Sequence, residues 1–254
     1  MLLRLVSSAC LALMLSPTVL AVECSAASGP ARVALLELYT SEGCSSCPPA
    51  DRWMSQLKAQ GFTPDRVIPL ALHVDYWDYI GWRDRFAHPL FATRQREMAR
   101  LAGSGVVYTP QVMINGRDFR SWSSSSGLSR QLDDLKQAPA RANIQLKLSR
   151  PTADQVETSV TVSGQKDNLV LYLAIYENDL LSDVAAGENS GVKLHHDYVV
   201  RGWRGPFRVG DAPLTQTLQI NPEWHNTKTG VVAFLQNPVS GEVVQALNLK
   251  MCSS

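Results

Sequence analysis

Val33-Ala34-Leu35-Leu36-Glu37-Leu38-Tyr39-Thr40-Ser41-Glu42-Gly43-Cys44-Ser45-Ser46-Cys47-Pro48 is an apolar run that breaks into a turn and ends on Cys-x-x-Cys-Pro. The segment 32–40 has the length of a buried strand and is bounded by turn residues. From Pro48 the period changes. Ala50, Trp53, Met54 and Leu57 fall at i, i+3, i+4 and i+7, one face of a helix that stops at Gly61. Val67 to Val74 is a second apolar run and ends at Asp75. Strand, helix and strand in so short a span predict a right-handed βαβ unit with parallel strands.

Working downstream, Phe91, Met98, Leu101 and Ala102 share one face of a helix predicted over 89–102, which Gly103-Ser104-Gly105 ends. Pro110 to Ile114 then meets Asn115-Gly116, the strongest dipeptide signal for a two-residue hairpin, and Arg117 to Trp122 returns. The serines that follow cap a third helix with Leu128, Leu132 and Leu135 inside. The order β-α-β, α, β-β-α is that of the thioredoxin fold. Beyond Pro139 the period becomes two: Ile144, Leu146 and Leu148 alternate with polar residues, as do Val156, Thr158, Val160 and Val162. Further strands are expected at 169–176, 194–200, 214–220, 230–235 and 242–250. The expected architecture is therefore an α/β thioredoxin-like domain over 22–139, followed by an antiparallel β-sandwich over 140–254.

The first 21 residues read as a secretory signal peptide: Arg4 precedes a short apolar stretch, and Val19 and Ala21 supply the small residues that cleavage needs. Ser7, Ser8, Ser16 and Pro17 interrupt that stretch, which falls short of a membrane span. A periplasmic or secreted protein is expected, without stable membrane insertion after cleavage. The formal net charge is +1 with neither sign clustered, so neither a nucleic acid nor an anionic membrane surface is expected as partner. Of the five cysteines Cys10 leaves with the leader. Cys44 and Cys47 are separated by only two residues, while Cys24 and Cys252 lie near opposite ends and are expected to form a structural disulfide that clamps the sandwich to the first domain.

Cys44 lies where a strand hands over to a helix, so the N-terminal N–H groups and the helix dipole are expected to favour its thiolate. Cys44 is the expected nucleophile and Cys47, one turn in, the resolving thiol. The same spacing serves zinc sites and inert disulfides. A zinc site wants a second ligand pair, and the remaining thiols are terminal. The loop Asp75-Tyr76-Trp77-Asp78-Tyr79-Ile80-Gly81-Trp82 leaves the second strand at the same sheet edge as Cys44. Asp75 and Trp77 are the supporting candidates there, in a substrate platform or lid; the alternative is a packing plug between domains. His73 and Asp75 with the cysteines suggest copper only thinly, and no cofactor is expected. His195 and His196, adjacent on a strand, point to opposite faces.

The segments Leu38 to Asp51, His73-Val74-Asp75-Tyr76-Trp77-Asp78 and Tyr108-Thr109-Pro110-Gln111-Val112 together resemble a family of exported thioredoxin-like proteins of bacteria, with plant relatives, known as a domain of unknown function. The resemblance spans nearly the whole mature chain and implies a fold, not an activity. Thr109-Pro110-Gln111-Val112 is also similar to the glutaredoxin and thioredoxin segment whose proline is cis and lies against the C-x-x-C. That likeness implies a cis Pro110 and a Thr109 backbone placed to pair with an extended substrate. Thioredoxins carry a buried acid near the position of Glu37, which makes Glu37 a candidate proton acceptor for Cys47; the alternative is an edge-facing or salt-bridged glutamate. Gly43 and Ser45-Ser46 depart from the Trp-Cys-Gly-Pro-Cys of thioredoxin, so the direction of electron flow does not transfer. The expected function is an exported thiol–disulfide oxidoreductase acting on protein or small-molecule thiols and disulfides through a Cys44 mixed disulfide. The alternatives are a redox-inert binding module and a copper-delivery protein.

Overall fold

The computed structural model describes residues 22–252 apart from residue 225; the expected leader, 1–21, lies outside them. The chain opens with β1 (Val22–Ala27), followed by β2 (Ala34–Thr40), α1 (Pro48–Gln56) and β3 (Val67–His73). Next come α2 (Pro89–Leu101), β4 (Gln111–Ile114), β5 (Arg117–Asp118) and α3 (Ser125–Gln137). The second half is built of strands, with one short 3-10 turn at Asn226–Lys228: β6 (Ala142–Thr152), β7 (Gln155–Gly164), β8 (Val170–Glu177), β9 (Leu180–Asp183), β10 (Lys193–His196), β11 (Val199–Arg208), β12 (Leu214–Gln219), β13 (Thr229–Gln236) and β14 (Val243–Lys250).

The expected βαβ unit forms because β2 and β3 are apolar on both faces and pair in parallel from Ala34↔Val67 to Thr40↔His73. Strands covered on both sides read as continuous apolar runs rather than alternations. β4 pairs antiparallel with β2 and turns into β5 at Asn115-Gly116, both at positive φ. Gly116 has a second constraint: a Cβ there would stand 2.3 Å from the Gly241 carbonyl oxygen, so only glycine lets the hairpin tip meet the β13–β14 loop.

The sheet does not stop at Pro139. β11 joins the open edge of β3 in parallel, Val199 opposite Ala71, and one eight-stranded sheet runs β14-β13-β8-β11-β3-β2-β4-β5. An apolar edge strand such as β3 needs a cover, and the second half supplies it. Helix α2 lies on one face of this sheet and spans the seam, packing Phe91, Ala92 and Met98 with Tyr39, Leu70, Trp203 and Phe234. The other face is shared. Over β2, β3 and β4 it carries α1 and α3, with Leu36, Leu38, Trp53, Met54 and Leu128 in their core. Over β8, β13 and β14 it carries a four-stranded sheet, β1-β6-β7-β12, through Ile144, Leu146, Val160, Leu173 and Val231.

Two sequence expectations meet a different arrangement. The sandwich of 140–254 is not a free-standing unit, because one of its layers is the continuation of the first half's sheet; side-chain period reports which face is buried, not which sheet a strand joins. The strand expected at 194–200 is two strands, broken at Tyr198 (φ 58°), and β9 pairs with β10 as a separate hairpin.

Cys24 and Cys252 are bonded, with Cα atoms 5.6 Å apart. The bond's role differs from the expected clamp, because β1 pairs with β6, Cys24 opposite Leu148, and so belongs to the four-stranded sheet. It therefore staples that sheet to the end of β14 within the β-rich half. Closing a separation of 228 residues is worth about 5 kcal/mol in the chain-entropy model.

Candidate functional site

Residues 41–47 form the turn between β2 and α1, and Cys44 and Cys47 are bonded across it with Cα atoms 5.4 Å apart. The helix N-cap is Cys47, and Pro48 and Pro49 fill the first helical positions. Prolines set the helical φ but carry no N–H. The expected support of a Cys44 thiolate by first-turn N–H groups is thus reduced: Pro48 and Pro49 offer none, and the Cys47 N–H is spent on the Cys44 carbonyl at 3.1 Å. The pair is also well covered. Cys44 is 1% and Cys47 0% exposed, while Ser45 and Ser46 face solvent.

Three segments close around the pair. The first is the Thr109–Pro110 peptide, which is cis. Ser46 Oγ lies 3.3 Å from Cys44 Sγ and donates to the Thr109 carbonyl at 3.4 Å. The second is the aromatic loop, where Trp77 Nε1 donates to Thr109 Oγ1 at 2.7 Å and Trp82 Nε1 to Glu42 Oε2 at 2.7 Å. A Cβ on Gly43 would come within 3.1 Å of Trp77 Cβ and 3.3 Å of Ile80 Cδ1, which accounts for glycine where thioredoxins carry tryptophan. Buried Gln95 of α2 fixes both segments, accepting from Tyr76 Oη at 3.0 Å and donating to the Tyr108 carbonyl at 2.9 Å. Of the supporting candidates, Thr109 and Trp77 are brought to the cysteines. Asp75 is half-buried and its carbonyl accepts from the Asp78 N–H at 3.1 Å; no bond from its carboxylate to the pair is seen among the described residues.

The third segment comes from the other half of the chain. The 184–192 loop of the β9–β10 hairpin lies over the turn: Asn189 Nδ2 donates to the carbonyls of Glu42 at 2.8 Å and Cys44 at 3.1 Å. The Ser45 N–H donates to Glu188 Oε2 at 3.0 Å, which holds the Glu188 carboxyl below its ordinary range. A negative charge this near the turn opposes a Cys44 thiolate.

On the α1 side of the sheet, joined to the cysteine turn through Glu42 and to α1 through Asp51, lies a buried ionisable cluster. His73 Nδ1 and Asp84 Oδ2 are 2.6 Å apart. Burial alone would lower the His73 pKa, but Asp84 outweighs it and the pKa is raised; burial alone would raise that of Asp84, and His73 brings it below the ordinary value. His196, from β10, packs edge-on against His73 with centroids 4.9 Å apart. Its Nε2 stands 3.4 Å from Glu42 Oε1 and its Nδ1 4.0 Å from Asp51 Oδ2. These separations are electrostatic contacts, with no hydrogen bond formed. Burial raises the Asp51 pKa above its ordinary value despite the nearby histidines, and its side chain accepts from Thr40 Oγ1 at 3.2 Å. The described residues contain no group of three or more His, Cys, Asp or Glu arranged to hold a metal ion.

Glu37 does not join the cysteines. It shares a face of β2 with Leu35 and Tyr39, opposite to Leu36 and Leu38, which pack on α1. There it accepts from Arg94 Nε at 2.6 Å and from Tyr39 Oη at 3.3 Å. The alternation of the strand carries this signal: an odd-numbered residue of β2 cannot face the helix that Leu36 and Leu38 face. His196, Glu188 and Asn189 had no such signal, since more than 140 residues separate them from the turn they touch.

The sequence profile of a family described as "Protein of unknown function (DUF1223)" matches residues 35–236. The chain belongs to the DUF1223 family. Protein AGR_C_4864 from Agrobacterium tumefaciens has a similar solved structure, with 26% identity, TM-score 0.66, and 89% of the present chain and 97% of that one covered. HBP35 of Porphyromonas gingivalis is similar in fold at 16% identity and TM-score 0.64, over 88% of the DUF1223 chain and 76% of its own. No curated protein matches the DUF1223 chain significantly. No helix among the described residues is long and apolar enough to cross a membrane.

Proposed function

We propose that this DUF1223 protein is an exported thiol–disulfide oxidoreductase in which residues 33–137 act as a thioredoxin-type unit. The observation that carries this reading is the Cys44–Cys47 bond at the C-terminal edge of parallel strands, linked through Ser46 to the Thr109 carbonyl beside cis Pro110. In the reducing direction the Cys44 thiolate attacks a partner disulfide, one partner thiolate leaves, and a mixed disulfide forms. Cys47 then attacks Cys44 Sγ, the mixed bond breaks, and the second partner thiolate departs. The partner gains two electrons and the Cys44–Cys47 pair loses them.

The burial of Cys44 favours a second reading, a structural disulfide in a redox-inert binding module. The two readings separate on equilibration of the Cys44–Cys47 couple with glutathione and on trapping with Cys47→Ala, which leaves Cys44 unresolved. An oxidoreductase gives a covalent adduct at Cys44. A potential below about −300 mV, with no adduct, supports the inert module and overturns the leading reading.

A further inference from the structure

The cluster that joins the cysteine turn to α1 holds more ionisable groups than two cysteines require. Five side chains from separate segments meet there: Glu42 after β2, Asp51 on α1, His73 on β3, Asp84 before α2 and His196 on β10, each 7% exposed or less. His73 Nδ1 is paired with Asp84, while His73 Nε2 has no hydrogen-bond partner. His196 has none at either ring nitrogen, one facing Glu42 at 3.4 Å and the other Asp51 at 4.0 Å. A buried polar atom left unpaired is costly and calls for an explanation in what the site does.

Asp51 supplies the link to the chemistry. It stands four residues after Cys47, its N–H donating to the Cys47 carbonyl at 3.2 Å, so both side chains lie on one helix face. On its far side is His196 Nδ1, 4.0 Å from Asp51 Oδ2. The outer cations stop short: Arg201 and Arg85 lie over the Phe86 ring at 4.9 and 4.6 Å, and that ring packs edge-on against His196. The charges facing His196 are therefore Glu42, Asp51 and the His73–Asp84 pair.

We propose that Asp51 and His196 form an internal proton relay for Cys47, with the β9–β10 hairpin supplying its second member; this rests on the oxidoreductase reading above. In the resolving step the Cys47 thiol gives its proton to Asp51. The sulfur electron pair attacks Cys44 Sγ, the bond to the partner breaks, and the partner leaves as a thiolate that takes a proton from water. The Asp51 proton passes to Nδ1 of a neutral His196 whose ring hydrogen is on Nε2, facing Glu42, once the 4.0 Å separation closes to a hydrogen bond, and it returns by the same route when the disulfide is reduced. The raised Asp51 pKa suits a group that must accept from a thiol.

The test is a single turnover of the reduced protein with dithionitrobenzoate. Attack by Cys44 releases one thionitrobenzoate, and resolution by Cys47 releases the second. For the wild type the second release should stay fast between about pH 5 and 8. In Asp51→Asn it should slow roughly a hundredfold at the acidic end and rise with pH, as hydroxide replaces the lost acceptor. His196→Gln should show a milder slowing with an altered pH profile. Variants that keep the wild-type profile, or are slowed equally at every pH, overturn the relay while leaving the oxidoreductase reading intact. A wild type that never releases the second equivalent overturns both. Should a variant not fold, nitrogen NMR of His196 in the wild type decides: its titration should differ between oxidised and reduced protein, and identical titrations refute the relay.

Discussion

Arg94→Met tests the placement of Glu37 most directly. Arg94 is inside the protein, 5% exposed, with Nε on Glu37 Oε1 at 2.6 Å and both Nη atoms on Gln236 Oε1 at 3.2 Å. Its guanidinium sits among Trp203, Tyr172 and Phe234, 4.7, 5.2 and 5.4 Å from their centroids. Methionine fills much of that volume but leaves a carboxylate buried without its cation. Removing one partner of a buried ion pair costs about 3–5 kcal/mol. For a chain of this size that corresponds to a fall of roughly 6–20 °C in Tm. The pair Glu37→Met/Arg94→Met removes both charges and should recover most of the loss, because the penalty is the unpaired charge rather than the missing bond. Urea unfolding of the oxidised proteins measures both. A single variant that loses less than about 1 kcal/mol, or a double variant no better than the single, would refute the view that Glu37 is committed to Arg94. The same view requires Glu37→Gln to leave the pH profile of Cys47 resolution unchanged.

Two further outcomes follow from the cover and the cluster. Asn189→Ala strips the donor from the carbonyls of Glu42 and Cys44; it should cost about 1–3 kcal/mol and speed iodoacetamide labelling of Cys44 in the reduced protein more than that of Cys47, whereas unchanged labelling would contradict the clamp. The His73–Asp84 pair gives stability a defined pH window. Asp84, lowered from 3.8, contributes above that value and loses its contribution as pH falls through its folded pKa. His73, raised from 6.5, contributes fully below that value and loses its contribution as pH rises through its folded pKa. Thermal unfolding should therefore show the wild type losing stability relative to His73→Gln as pH rises above 6.5; parallel curves would remove the ion pair from the account.

The legibility of the site follows the range of its interactions. Cys44, Cys47, Thr109, Pro110 and Trp77 each sit at the end of an element that local pattern locates, and the C-terminal edge of β2 and β3 brings those ends together. Asp51 was within reach of the same reasoning, since Cys47 and Asp51 are one turn apart on a helix whose face was already assigned. Of the two readings open for Glu37, the salt-bridged one holds, with Arg94, because the alternation of its strand turns it away from α1. Glu188, Asn189 and His196 depend on a hairpin tip folding back across the molecule, and nothing near them in the chain refers to the turn they touch.

Local pattern alone locates the βαβ unit, the Asn115-Gly116 hairpin, the buried faces of the later strands and the Cys44-Ser45-Ser46-Cys47 turn. Period and turn chemistry are local quantities, set by 3.6 or 2 residues per repeat. The packing of the whole chain is what makes β11 extend the first sheet past β3, joins β1 to the second sheet so that Cys24–Cys252 staples two layers, and sets His196 between Glu42 and Asp51. Those outcomes depend on which open edge or face each strand finds to cover, and apolar surface attracts any well-shaped partner without marking in the chain which one it meets.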